Sequence, residues 1–123
     1  MACSRCYWYG RNATLLVITA ALTILFAIFK AVADTLAHHF DTSVFRRRNT
    51  AFWNPLHRDN DYVKRVFSYP LDAWHISNSL MIICFALATV FNDLKYEWYW
   101  QVSGIGVVFM LTFGIFYNKI LRR

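Results

Sequence analysis

Two short patterns in this 123-residue chain bring carboxylates and imidazoles to helical spacing: Asp34-x-x-x-His38, with His39 beside it, and Asp72-x-x-His75. Residues three or four apart are neighbours on a helix surface, so each pair can act as a unit. Mixed nitrogen and oxygen donors of this kind suit zinc, or iron and manganese if further oxygens join. The same groups serve as general bases, and a metal-bound water is then the natural nucleophile. Asp34, His38, Asp72 and His75 are accordingly the catalytic candidates, and the same four with His39 are the metal-ligand candidates. The stretch from Lys30 to His75 that holds them contains all four histidines, five of the seven carboxylates and seven of the thirteen basic residues.

Each of these groups also has a purely structural reading. Aspartate in the first turn of a helix and histidine in the last are favoured by the helix dipole, at about 0.3–1 kcal/mol each. Lys30 and Asp34, four apart, can neutralise one another near the headgroups while the lysine snorkels outward. His39 lies on a different face from His38, and His57 reads as a solvated loop residue. Arg46, Arg47 and Arg48 fix topology as a basic cluster, and they are also candidates for headgroup contact because guanidinium forks match phosphate oxygens. Set against the E-x-x-H pairs of di-metal helical bundles, the chain has too few carboxylates. A P-loop, a Gly-rich dinucleotide turn, G-x-S-x-G and H-E-x-x-H are all missing from the sequence.

The elements that must position these residues are membrane spans. The chain is 58% hydrophobic, 19% aromatic and 16% charged, a composition that a soluble domain of this size cannot bury. Its net charge of +6 sits in short clusters beside apolar runs, which points to topology and anionic lipid and leaves no nucleic-acid partner expected. The sequence predicts one all-α membrane domain with spans at about 13–40, 70–91 and 98–120 and a membrane-surface loop over 41–69. Arg5 and Arg11 precede an apolar run ending in Ala31-Val32-Ala33, but Lys30 interrupts it, so the segment is expected to be retained.

Residues 1–12 read as a short exposed leader anchored by Tyr7, Trp8 and Tyr9. Cys3 and Cys6 cannot alone complete a four-ligand zinc site, and the residue after Cys6 is Tyr7, which excludes c-type haem attachment. Cys84 reads as a small packing residue. Thr23, Ala27, Lys30, Asp34 and His38 are expected on one face of the first span. In the loop, Phe52 and Trp53 form a lid, and Tyr62, Val63, Val66 and Phe67 against Arg58, Lys64 and Arg65 suggest a short amphipathic helix. Pro70 suits the first turn of the second span. Ser103, Gly106, Met110 and Gly114 give the third span a small-residue stripe for close packing.

Basic residues number six in the loop and three at the C-terminus (Lys119, Arg122, Arg123), against Arg5, Arg11 and Lys95 elsewhere. That bias places the N-terminus outside and the C-terminus inside. The first span ends, and the second begins, on either side of one loop. Asp34, His38, His39, Asp72 and His75 must therefore lie at one bilayer face, whichever way the chain inserts.

Taken together, AVADTLAHHFDTSVF, FWNP and LDAWHISNSL resemble an uncharacterised bacterial family of small polytopic membrane proteins. Its pattern has D-x-x-x-H-F-x-x-S-x-F closing one span, F-W-N-P in the loop and D-x-W-H opening the next. The matching positions are Asp34, His38 or His39, Phe40, Ser43, Phe45, Phe52 to Pro55, Asp72, Trp74 and His75, within about residues 30–85. After FWNP the chain departs from the pattern, with HRDNDYVKR where Ser-Trp and Asn-Lys-Tyr are expected. The resemblance marks the same site and implies no particular reaction.

Three functions are therefore expected to compete. The first is a metal-dependent enzyme acting on a lipid or membrane-proximal substrate at the cytoplasmic headgroups. The second is a non-catalytic accessory subunit of a larger membrane complex, or a homo-oligomer. The third is a self-assembling pore lined by Thr23, Lys30 and Asp34.

Overall fold

The computed structural model describes residues 4–54, 65–66, 69–70, 72–91 and 98–122, with the backbone alone at 4–12, 51, 65–66, 69–70 and 98. The protein is all-α, with three helices long and apolar enough to cross a membrane: Ala13–His38, Ala73–Phe91 and Tyr99–Leu121. The first lies within α1 (Ser4–His38). At 1.5 Å per residue, the 35 residues of α1 span about 50 Å, more than the ~30 Å of bilayer hydrocarbon. The leader is therefore not a separate segment, because the helix already runs through residues 4–12 with no proline to stop it. Cys3 lies outside the described residues, as does the side chain of Cys6.

After His38 the chain turns through a 3-10 segment (Phe40–Thr42), so α1 ends two residues before the expected boundary. A one-turn α2 (Thr50–Trp53) follows. Residues 65–66 are extended, not helical: β1 (Arg65–Val66) pairs antiparallel with β2 (Tyr69–Pro70). The remainder of the expected amphipathic helix lies outside the described residues. Pro70 thus belongs to β2, and α3 (Ala73–Phe91) begins three residues later, where Asp72 supplies a cap. The third membrane helix comprises α4 (Trp98–Ile115) and a π-helical final turn, Phe116–Leu121.

Helix α1 packs mainly on α3 and, less extensively, on α4. Its buried face repeats every four residues through Thr19, Thr23, Ala27, Ala31 and Thr35. On α3 the buried residues are likewise small, Ala73, Ser77 and Cys84, while Thr19 and Thr23 also border α4, lining a groove with Gly104 and Ile105. Without a hydrophobic drive between helices in lipid, close backbone approach of this kind is what holds spans together. The Thr23 hydroxyl is satisfied by the Thr19 carbonyl at 2.8 Å.

The third span does not use its glycines in this way. A Cβ added at Gly104, Gly106 or Gly114 would meet nothing within 4 Å, and Met110 is 70% exposed. Large apolar side chains on all three helices, among them Leu16, Val90 and Leu111, face outward to lipid. Between α1, α3 and α4 an apolar groove of about 400 Å³ is lined by Phe26, Phe85, Ile105, Gly106 and Phe109, among others.

Candidate functional site

The end of α1 and the start of α3 meet in a small core of Leu36, Phe40 and Ala73, with Val32, Phe45, Trp53 and Trp74 packed around it. The ring of Trp53 stacks on Phe45 at 4.7 Å and takes Phe52 edge-on at 5.3 Å. α2 thereby lays its tryptophan over the junction of the two helices. Beneath it, Ser43 is buried and closes the turn after α1. Its hydroxyl donates to the Phe40 carbonyl (2.7 Å) and accepts from the Phe45 N–H (3.1 Å). The C-terminus docks at the same place, since Ser43 bridges Arg122 and the Val44 N–H donates to the Leu121 carbonyl at 3.0 Å. The loop and the C-terminus therefore share one end of the bundle.

Asp72 is the N-cap of α3. Its carbonyl accepts the first intrahelical bond, from Ile76 at 3.0 Å, and its Oδ1 accepts the His75 N–H at 2.9 Å. A carboxylate suits this place because the first N–H groups of a helix have no partner within it. The other oxygen, Oδ2, lies 2.6 Å from Nδ1 of His75. An ionised carboxylate only accepts, so in the neutral ring Nδ1 carries the proton and Nε2 the lone pair. The two side chains are 18% (His75) and 12% (Asp72) exposed. Trp74 stands edge-on to the imidazole at 4.8 Å and ties it to the junction core.

The first pattern folds differently. Asp34 pairs with Lys30, one turn back, and the two are 25% and 40% exposed. His38, the last residue of α1, is exposed, and His39 turns away to meet Tyr117 edge-on at 5.7 Å. Thr23, Ala27, Lys30, Asp34 and His38 share one face of α1, and its exposure rises along the helix, from buried Thr23 and Ala27 through half-buried Lys30 and Asp34 to exposed His38. All five site residues lie on the segments that meet at this end of the bundle. Among the described residues, however, no three His, Cys, Asp or Glu side chains gather as a metal-ligand group.

Arg46, Arg47 and Arg48 follow Ser43 in exposed turns. Sequence reasoning missed Tyr117 and counted Arg122 for topology alone; the Arg122 guanidinium lies 5.5 Å from the centre of the Tyr117 ring. Nothing in the local pattern of the third span marks them, and only the pairing of the chain terminus with the loop reveals their place. Compared with protein-family models, with curated proteins and with solved structures, the chain matches none.

Proposed function

We propose that the protein is a membrane-surface enzyme that transfers a proton to or from a lipid or membrane-proximal substrate, with His75 as the acid–base group and Asp72 as the residue that positions it. The observation that carries this reading is the double hold of one carboxylate. A single aspartate caps α3 and fixes the imidazole tautomer, so the ring is aimed by the start of the helix itself. Imidazole is the group best matched to proton transfer near neutral pH. By the charge bias of the loops, this end faces the cytoplasm with the N-terminus outside, and the resemblance to a bacterial family makes the membrane a bacterial inner membrane.

A divalent metal, zinc or else iron or manganese, belongs to the same proposal in a weaker form. Metal-bound histidines usually donate their second nitrogen to a carboxylate, as His75 does. Asp34, His38 and His39 would have to move to join it, since Asp34 is paired with Lys30 and His39 faces Tyr117. The test is incubation of the wild type and His75→Gln in nanodiscs of bacterial lipid extract, followed by lipid mass spectrometry. Conversion of a lipid species by the wild type but not by the variant is expected, and no wild-type-dependent change would overturn the reading. Elemental mass spectrometry of the same samples, beside a His38→Ala/His75→Ala double variant, reads any bound metal.

A second reading, an accessory subunit or homo-oligomer, is favoured by the open glycines of α4. Close approach by another helix needs small residues on the facing surface. Gly114→Leu is then expected to abolish cross-linked higher species and leave monomer melting unchanged, whereas Gly106→Leu enters the groove between α1, α3 and α4 and is expected to change both. The pore reading has the least support, because Thr23 is buried and Lys30 is paired with Asp34.

A further inference from the structure

The charges at the loop end are unevenly balanced. Asp72 is engaged by His75 and Asp34 by Lys30. Arg46, Arg47, Arg48, Lys119 and Arg122 are all exposed, and among the described residues the only other carboxylate at this end is Asp41, also exposed. Among the described residues, five full cations thus face one anion, and they come from two parts of the chain more than seventy residues apart.

The backbone joins these parts. Ser43 and Arg122 are bridge partners, which sets their Cα atoms about 5 Å apart. The Arg46 N–H donates to the Ser43 carbonyl at 3.3 Å, a turn that keeps Ser43 and Arg46 within about 7 Å. Arg46 and Arg122 therefore lie within about 12 Å at Cα, a gap two arginine side chains can close onto one ligand. The Arg122 guanidinium rests over Tyr117, which His39 contacts edge-on. That contact steadies the side chain without neutralising it.

We propose that Arg46, Arg47 and Arg48 of the loop and Lys119 and Arg122 of the C-terminal turn form one composite site for an anionic phospholipid headgroup. Charge complementarity selects the ligand: guanidinium forks match phosphate oxygens, and the site sits at the end of three membrane-spanning helices, where headgroups are the abundant phosphates. Bound lipid would then clamp the C-terminal turn onto the loop across the Ser43–Arg122 bridge. This inference does not depend on proton transfer at His75.

Native mass spectrometry of the detergent-purified full chain, titrated with phosphatidylglycerol or with phosphatidylcholine, tests it. Phosphatidylglycerol is expected to bind more tightly, with affinity falling about fivefold for each cation removed. Arg122→Gln is expected to weaken binding as much as Arg47→Gln, although it lies at the opposite end of the sequence. Asp41→Asn, which removes the opposing charge, is expected to tighten binding and guards against variants that merely misfold. Wild-type-like binding by Arg122→Gln and Lys119→Gln, with loss only in the Arg46/Arg47/Arg48→Gln triple variant, would overturn the composite site. Equal binding of the two lipids would overturn headgroup recognition altogether.

Discussion

The two aspartate–histidine patterns differ by one residue of spacing and by the helix end they occupy, and they become different structures. At the start of α3 the N–H groups lack partners, so Asp72 is drawn to the backbone and, from there, holds His75. At the end of α1 the unpaired groups are carbonyls, which a carboxylate cannot satisfy. Asp34 instead turns to the full charge of Lys30, and His38 is left exposed. Ser43 closes only the turn beyond the helix, through Phe40 and Phe45. The same residue types at nearly the same spacing thus give an organised dyad at one helix end and a surface ion pair at the other.

Removing Asp72 should have the largest effect. Asp72→Ala loses a cap and a charge-assisted bond, about 2 kcal/mol together, and is expected to lower the melting temperature in detergent most of all. Asp72→Asn keeps the cap but not the acceptor pair, so most of the stability is expected to return while any His75-dependent activity does not; equal losses in both variants would reduce Asp72 to a cap. Ser43→Ala should follow, at about 1–2 kcal/mol, because it strands the Phe45 N–H in a buried turn. For Lys30→Gln the expected cost is below about 1 kcal/mol, since the pair is partly exposed, and it should shrink further in high salt. His38→Ala is expected to leave melting unchanged, and a measurable loss there would mean that Asp34 and His38 cooperate after all.

The spans were legible because apolar runs of this length have few alternatives, and their shared loop was enough to bring Asp34, His38, Asp72 and His75 to one end. The Asp72–His75 pair was legible from spacing alone. The small face of α1 is hard to read because its repeat is written in Thr and Ala, whereas the glycines that mark close packing lie in α4, where Gly106 and Gly114 stay open. Nor could local patterns place Pro70, which reads equally well as a helix opener until Asp72 takes the cap. The docking of Arg122 on Ser43 is a long-range pairing, invisible to any local period.

Nitrogen-15 NMR of the four histidines in nanodiscs, under conditions where the imidazoles are neutral, tests the central claim most directly. His75 is predicted to be held as the Nδ1–H tautomer in the wild type and to revert to the mixture of a free imidazole in Asp72→Asn, with His38 showing that mixture in both. A free mixture at His75 in the wild type, or a tautomer indifferent to Asp72, would contradict the account.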